Sequence, residues 1–154
     1  MADTKPFFEF EADFVAALRC IPMGVRMKLD TCGVKLKLAH WHQFTQAERQ
    51  QLVDLPCSNV YTIETYRQQL QQLVIRYTGS PAGELPIDAT PPWHIGDRTP
   101  QTVLDQAAKL RTTLTTAQWR SLSPYQRFAL IKLSRPGHEN RNFEPALKEF
   151  GLIP

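Results

Sequence analysis

The densest run of polar side chains lies between residues 134 and 143. It contains Arg135, His138, Glu139, Asn140, Arg141 and Asn142. Guanidinium groups recognise carboxylates through two parallel hydrogen bonds, so this run can serve as a docking loop for a partner protein. The Pro136-Gly137 step also suits an ordinary turn, in which amide and carboxyl groups cap the flanking helices. Both interpretations stand, and the six residues are our candidates for partner docking.

The three cysteines, Cys20, Cys32 and Cys57, allow two interpretations. Their number is odd and no two are spaced as C-x-x-C, so we expect no disulfide framework. They can pack as small hydrophobic side chains, which is the reading that we favour. Alternatively they are weak candidate ligands of a metal or cofactor in a small redox protein. Zinc sites usually take two ligands from one short turn, and these cysteines offer no such turn.

The sequence contains none of the common nucleotide-binding or hydrolase motifs. G-x-G-x-x-G, G-x-x-x-x-G-K-[ST], H-E-x-x-H and G-x-S-x-G are all absent. The neighbours His138 and Glu139 are poorly placed to act as a base and its orienting group. Glu9, Glu11 and Asp13 form an acidic cluster that can complement the dipole of the first helix. We therefore predict no catalytic residues, no cofactor and no enzymatic activity.

Length and composition predict one compact domain spanning residues 1–154. The chain is 42% hydrophobic and 21% charged, with a net charge of +3. Residues 98–154 hold nine basic and four acidic side chains, a net charge of +5 that can steer a partner. These basic residues are scattered singly, so we expect no nucleic-acid binding. No apolar run reaches 18 residues and residues 1–6 resemble no secretory signal, so we expect a cytoplasmic protein without membrane contact.

Apolar residues recur every three or four positions and predict an all-α domain of about seven helices. One helix is predicted from Phe10 to Ile21, with Phe14 on its buried face, and another after Pro22 that ends at Gly33. Residues 34–38 alternate between apolar and basic side chains, which we interpret as an extended connector without a strand partner. Capping boxes at residues 45–48 and 123–126 begin two further helices. The longest helix ends at Gly79.

An internal duplication is indicated at an offset of 78 residues. Trp41 matches Trp119, and Arg49 matches Arg127, within two similar patterns of helix, turn, tryptophan helix and helix. We expect the tryptophans to anchor the core and the arginines to form caps or ion pairs. The two halves cover about residues 10–78 and 99–151. Between them, residues 79–98 are rich in proline and glycine and are predicted to form a strap against the helices.

Five stretches resemble the nitrate-reductase-associated protein family, also called NarM, over roughly residues 7–153. They are residues 10–15, 19–23, 28–38, 52–57 and 127–140. The resemblance implies a protein required for an active assimilatory nitrate reductase, an enzyme that depends on ferredoxin and carries molybdopterin and an iron–sulfur cluster.

The same resemblance implies no catalytic residue for this chain. It leaves two roles, a stable accessory subunit docked on the reductase or a transient maturation factor that assists cofactor insertion. The implied partner is the catalytic subunit of nitrate reductase, with ferredoxin as a neighbouring protein.

Overall fold

The computed structural model describes residues 6–154, and this part of the chain is predominantly helical, as predicted. It contains nine α-helices among the described residues, where the sequence predicted about seven. The helices group into two compact units, one ending at Asp88 and the other spanning Ala89–Pro154. The boundary falls inside the segment 79–98. Residues 1–5, on which the expectation about a secretory signal depends, lie outside the described residues.

From residue 6 onwards, the first unit holds five α-helices and a short antiparallel strand pair. The helices are α1 (Ala12–Val15), α2 (Met23–Cys32), α3 (Leu38–Gln43), α4 (Gln46–Asp54) and α5 (Val60–Thr78), and the strands are β1 (Val34–Lys35) and β2 (Gly83–Glu84). A 3₁₀ turn precedes α1. The core of this unit lies between α2, the short helices α3 and α4, and the inner face of α5.

The second unit holds four α-helices and two 3₁₀ turns. The helices are α6 (Gln101–Lys109), α7 (Thr116–Ser121), α8 (Pro124–Leu133) and α9 (Phe143–Glu149), and the turns are Pro92–His94 and His138–Asn142. Helix α8 is buried on most of its surface, from Arg127 to Leu133 apart from Lys132. The ring of Phe128 on α8 meets Trp93 edge to face at 5.0 Å, which fixes the first 3₁₀ turn against this helix.

Local sequence signals place most helix ends correctly. Thr45 and Glu48 form the predicted capping box of α4, and Ser123 and Gln126 form that of α8. Gly33 ends α2 with φ +75°, and a side chain there would lie within 3 Å of the Leu85 carbonyl. A left-handed residue in such a close contact favours glycine. The predictions of these helix ends are confirmed. They were possible because each end depends on residues close together in sequence.

The predicted helix from Phe10 to Ile21 is wrong in length. Helix α1 ends at Val15, and Leu18 takes a left-handed conformation with φ +55°. Phe14, expected on the buried face, is 44% exposed. Positive φ costs a leucine about 1–2 kcal/mol, which a three- to four-residue periodicity cannot reveal. Two hydrogen bonds offset this cost, because the Leu18 carbonyl accepts from the side chains of Trp41 and Arg49.

The interpretation of residues 34–38 as a connector without a strand partner is also wrong. Val34 pairs with Glu84 and Lys35 with Gly83 in an antiparallel register. The amide of Leu85 extends the contact by donating to the Gly33 carbonyl at 2.8 Å. The partner strand lies about fifty residues downstream, within the segment 79–98. Two residues per strand give too weak a pattern to be recognised without that partner.

Glu11 does not belong to a solvated acidic cluster. Its side chain is 1% exposed and accepts hydrogen bonds from the amides of Phe8 at 3.0 Å and Met23 at 2.9 Å. The second bond joins the first turn of the chain to the first residue of α2. A buried carboxylate is stabilised by such donors, so Glu11 fixes the entry of α2 by accepting from its first amide.

A matched pair of arginine clamps stabilises the ends of the short helices. In the first clamp, Arg49 on α4 donates to the carbonyls of Trp41 at 3.0 Å and His42 at 3.0 Å. It also donates to the Leu18 carbonyl at 3.3 Å, which in addition accepts from the Trp41 indole at 2.7 Å. The guanidinium thus supplies donors to the last carbonyls of α3, in addition to the bond that the Phe44 amide donates to the Trp41 carbonyl at 3.2 Å.

The second clamp repeats this arrangement 78 residues later. Arg127 on α8 donates to the carbonyls of Trp119 at 3.1 Å, Arg120 at 3.0 Å and Trp93 at 3.2 Å. The Trp119 indole donates to the Ile95 carbonyl at 2.9 Å. Matched bonds of this kind are what a duplication produces. The duplication itself, with its two halves and strap, stays a prediction.

Glu48 connects the first clamp region to the longest helix. Its carboxylate accepts from the Thr45 amide at 2.8 Å and from the Tyr77 hydroxyl at 2.6 Å. Burial opposes ionisation of this carboxyl, but the hydrogen bonds from Tyr77 and Thr45 and the charge of Arg76 outweigh it. The pKa of Glu48 therefore lies below its ordinary value of 4.5.

No helix among residues 6–154 is both long enough and apolar enough to cross a membrane.

The two clamps should differ in their contribution to stability. Replacing Arg127 by Met removes two buried hydrogen bonds, to the Trp119 and Trp93 carbonyls, and one part-buried bond, which should lower the free energy of unfolding by about 2–3 kcal/mol. The matched change Arg49→Met, whose three bonds are part-buried or exposed, should cost about 1 kcal/mol. Urea denaturation followed by circular dichroism measures both. Arg98→Met, at an exposed position, is the control. Equal losses at Arg127 and Arg49 would contradict the prediction.

The depressed pKa of Glu48 predicts how acid affects the first unit. Because the unfolded chain takes up a proton near pH 4.5 and the folded chain only at lower pH, the contribution of this carboxylate is complete above 4.5 and is lost below it. Tyr77→Phe removes the hydroxyl donor, so the variant should be less stable than the wild type at neutral pH. The difference should shrink as the pH falls below 4.5. Denaturation curves between pH 7 and pH 3 test this, with Tyr61→Phe, at an exposed tyrosine, as the control.

Candidate functional site

The candidate docking loop connects α8 to α9 and consists of residues 134–142. Ser134 closes α8 by donating from its hydroxyl to the Ile131 carbonyl at 2.8 Å. Gly137 follows with φ +145° and ψ −176°, a conformation that is almost confined to glycine. The 3₁₀ turn His138–Asn142 then leads directly into α9. The fully buried Phe143 begins that helix and anchors the end of the loop in the core.

Asn140 holds the middle of the loop. Its amide nitrogen donates to the carbonyls of Leu133 and Arg135, both at 3.2 Å. Its amide oxygen accepts from Gln106 on α6 at 2.8 Å. Asn140 therefore satisfies carbonyls at the end of α8 and connects the loop to a third helix. This is the capping role that one of the two sequence interpretations assigned to the segment.

Gln106, the partner of Asn140, was not among the residues predicted from the sequence. This side chain is 8% exposed and lies on the same face of α6 as the buried Val103 and Ala107. A polar residue within a predicted apolar stripe is a signal that a hydrogen-bond partner is present, because buried amides are seldom left unpaired. That signal was available, although it does not identify Asn140 as the partner.

The four charged or imidazole side chains among the loop candidates are exposed to solvent. Arg135, His138, Glu139 and Arg141 are exposed, whereas Asn140 and Asn142 are partly buried. Within residues 6–154, neither Arg135 nor Arg141 pairs with a carboxylate. The loop thus combines an internally bonded backbone with two guanidinium groups that are available to an anionic partner. Such an arrangement suits recognition of carboxylates by hydrogen-bonded ion pairs.

The structure brings together two of the three candidate cysteines. The thiol of Cys32, at the end of α2, contacts the Leu29 carbonyl at 3.8 Å, and the thiol of Cys57, between α4 and α5, contacts the neighbouring Lys28 carbonyl at 3.7 Å. Cys20 is exposed, and all three are free thiols. Among the described residues, no group of three or more His, Cys, Asp or Glu side chains is arranged to hold a metal ion. The cysteines thus form a pair and a separate exposed thiol rather than a three-ligand site.

The chain matches a family model but no single curated protein or solved structure. The family model described as "conserved nitrate reductase-associated protein" matches residues 7–150, which include both arginine clamps, the cysteine pair and the whole candidate docking loop. The chain therefore belongs to the conserved nitrate reductase-associated protein family.

Proposed function

We propose that this protein is a non-catalytic accessory subunit or assembly factor that docks on nitrate reductase and is required for its activity. The family match over residues 7–150 carries this proposal, since the family is described by an association and not by a reaction. The reductase would be the assimilatory, ferredoxin-dependent enzyme that carries molybdopterin and an iron–sulfur cluster, and the complex would form in the cytoplasm. Ferredoxin would then bind nearby.

The candidate docking loop is the surface that we assign to this contact. Its backbone is held by Asn140 and Phe143 before any partner arrives, so little conformational entropy is lost when the loop binds. Arg135 and Arg141 extend from this rigid support. Residues 98–154 carry a net charge of +5, which favours an acidic surface on the partner and speeds the encounter.

The two proposed roles differ in the lifetime of the complex. A permanent subunit usually buries more than about 2,000 Å² of total surface, whereas a transient factor can release its partner from a smaller interface. Gel filtration of the mixed purified proteins at moderate salt distinguishes the roles. A single peak with the molybdopterin-loaded reductase indicates a subunit. A complex that forms only with the cofactor-free reductase indicates a maturation factor. Failure to associate with either form would overturn the proposed function.

Charge reversal tests the docking loop itself. Arg135→Glu and Arg141→Glu should each slow association with the reductase by about tenfold at low salt, because the encounter is no longer steered by opposite charges. Raising the salt concentration should narrow the difference, since screening weakens both attraction and repulsion. Surface plasmon resonance at several ionic strengths measures the association rate.

The matched control for charge reversal is Arg98→Glu, which changes the net charge equally at an exposed position of the same unit. It should leave the association rate within about twofold of the wild type, as expected for a charge outside the interface. Wild-type rates in both loop variants would exclude the loop as the docking surface. That result would not contradict the proposed association with the reductase, which would then use another surface.

Asn140→Ala tests whether the preformed loop conformation matters. The variant loses three hydrogen bonds and leaves the buried Gln106 amide without its acceptor, so it should be destabilised by about 1–3 kcal/mol. Binding should weaken through loss of order in the loop, although both arginines remain. The neighbouring change Asn142→Ala is the control for stability and should stay within about 0.5 kcal/mol. An Asn140→Ala protein that binds as well as the wild type would show that order in the loop is not needed.

A further inference from the structure

The thiols of Cys32 and Cys57 lie together in the first unit, at a place that neither the docking proposal nor the family description uses. Cys32 is the last residue of α2 and Cys57 lies in the loop between α4 and α5. The Cys32 thiol contacts the Leu29 carbonyl at 3.8 Å, and the Cys57 thiol contacts the Lys28 carbonyl at 3.7 Å. Both thiols thus contact consecutive carbonyls in the same turn of α2.

The two thiols differ in access. Cys32 is 1% exposed and belongs to the hydrophobic core of the first unit. Cys57 is partly buried and packs against the edge of that core. Of the two residues, Cys57 is therefore the one open to a reagent in solution, whereas Cys32 is enclosed by the core.

The surroundings of the two thiols also shift their pKa values in opposite directions. The neighbouring Cys32 thiol favours the thiolate of Cys57, and the Lys28 ammonium adds to this effect, so the pKa of Cys57 is lowered despite burial. The neighbouring Cys57 and burial raise the pKa of Cys32. Cys57 is therefore the thiol that ionises first, and a thiolate is the reactive form of cysteine.

Lys28 is held in place by several contacts. Its ammonium donates to the carbonyls of Val53 and Leu55, each at 2.6 Å, and lies 5.6 Å from the centre of the Tyr66 ring. Burial lowers the pKa of Lys28, while the neighbouring Cys57 and Asp54 act in the opposite direction. The Tyr66 hydroxyl donates to the Leu52 carbonyl at 2.8 Å, and burial raises the pKa of this phenol. Lys28 is thus the fixed positive charge beside the thiol pair.

We propose that Cys32 and Cys57 form a redox-active dithiol that reacts with low-molecular-weight disulfides of the glutathione class. The Cys57 thiolate attacks one sulfur of the disulfide, forms a mixed disulfide and releases one thiolate, which takes up a proton. Cys32 then loses its proton and attacks the Cys57 sulfur, which releases the second thiol. The protein gains one internal disulfide and loses two hydrogens, and the external disulfide is reduced by two electrons to two thiols.

This chemistry explains an arrangement that packing alone does not require. Buried cysteines that act as small hydrophobic side chains need neither a second thiol nor a cation beside them. The internal disulfide would join the end of α2 to the loop before α5, two segments that α4 separates in sequence. Reduced glutathione would reverse the reaction by the same two steps.

Intact-mass spectrometry of the folded, full-length chain with oxidised glutathione tests the proposal. The Cys20→Ser variant keeps both core thiols and should lose two hydrogens in mass, together with both free thiols. The double variant Cys20→Ser/Cys32→Ser should instead accumulate one glutathione on Cys57. Cys20→Ser/Cys57→Ser should remain unmodified while it is folded, because the buried Cys32 is not accessible. Circular dichroism of each variant confirms that it is folded.

The exposed Cys20 provides an internal reference for reactivity. In the variant Cys32→Ser/Cys57→Ser it should gain one glutathione, more slowly than Cys57 does in spite of its greater exposure. The proposal is overturned if the Cys20→Ser protein stays reduced under conditions that modify Cys20. It is also overturned if that protein keeps a stable glutathione adduct, or forms a disulfide between two copies with twice the mass. Because only the Cys20→Ser protein decides these outcomes, an unfolded core variant does not prevent the test.

Discussion

The need to satisfy backbone carbonyls at the ends of very short helices governs much of this structure. Helices of six residues, such as α3 and α7, are too short to be stable alone and leave carbonyls without partners at their ends. In both units an arginine on the following helix supplies the missing donors, and a tryptophan on the short helix reaches back to an earlier turn. Arginine suits this position because its planar group offers five donors and stays charged at every relevant pH.

The clamps also explain features that would otherwise be unfavourable. Leu18 adopts a left-handed conformation at a cost of about 1–2 kcal/mol, and its carbonyl then accepts from both Arg49 and Trp41. In the second unit the clamp fixes α8, and the end of α8 is where the candidate docking loop begins. The position of the exposed arginines in that loop therefore depends on a buried arginine several residues earlier in the chain.

The parts of the fold that were predictable from sequence are those determined within about four residues. Capping boxes, the proline before α2 and the left-handed Gly33 are local signals, and they placed helix ends to within one or two residues. The arginines were recognised as matched capping or ion-pairing residues, but their carbonyl partners were not. Those partners include Leu18 and Trp93, which lie 31 and 34 positions away. The strand pair and the buried Glu11 were missed for the same reason, since each needs a partner distant in sequence.

The candidate site shows the same division between local and distant information. The polar composition of residues 134–142 was enough to indicate a capped turn or a docking loop. The structure shows that these readings are compatible, because Asn140 caps α8 while the arginines remain exposed. The meeting of Cys32 and Cys57 at one turn of α2 could not be deduced from three unevenly spaced cysteines. The thiol pair lies in the first unit and the loop in the second. The thiol chemistry is followed by mass and the docking of the loop by its association rate, so each can be tested separately in one protein.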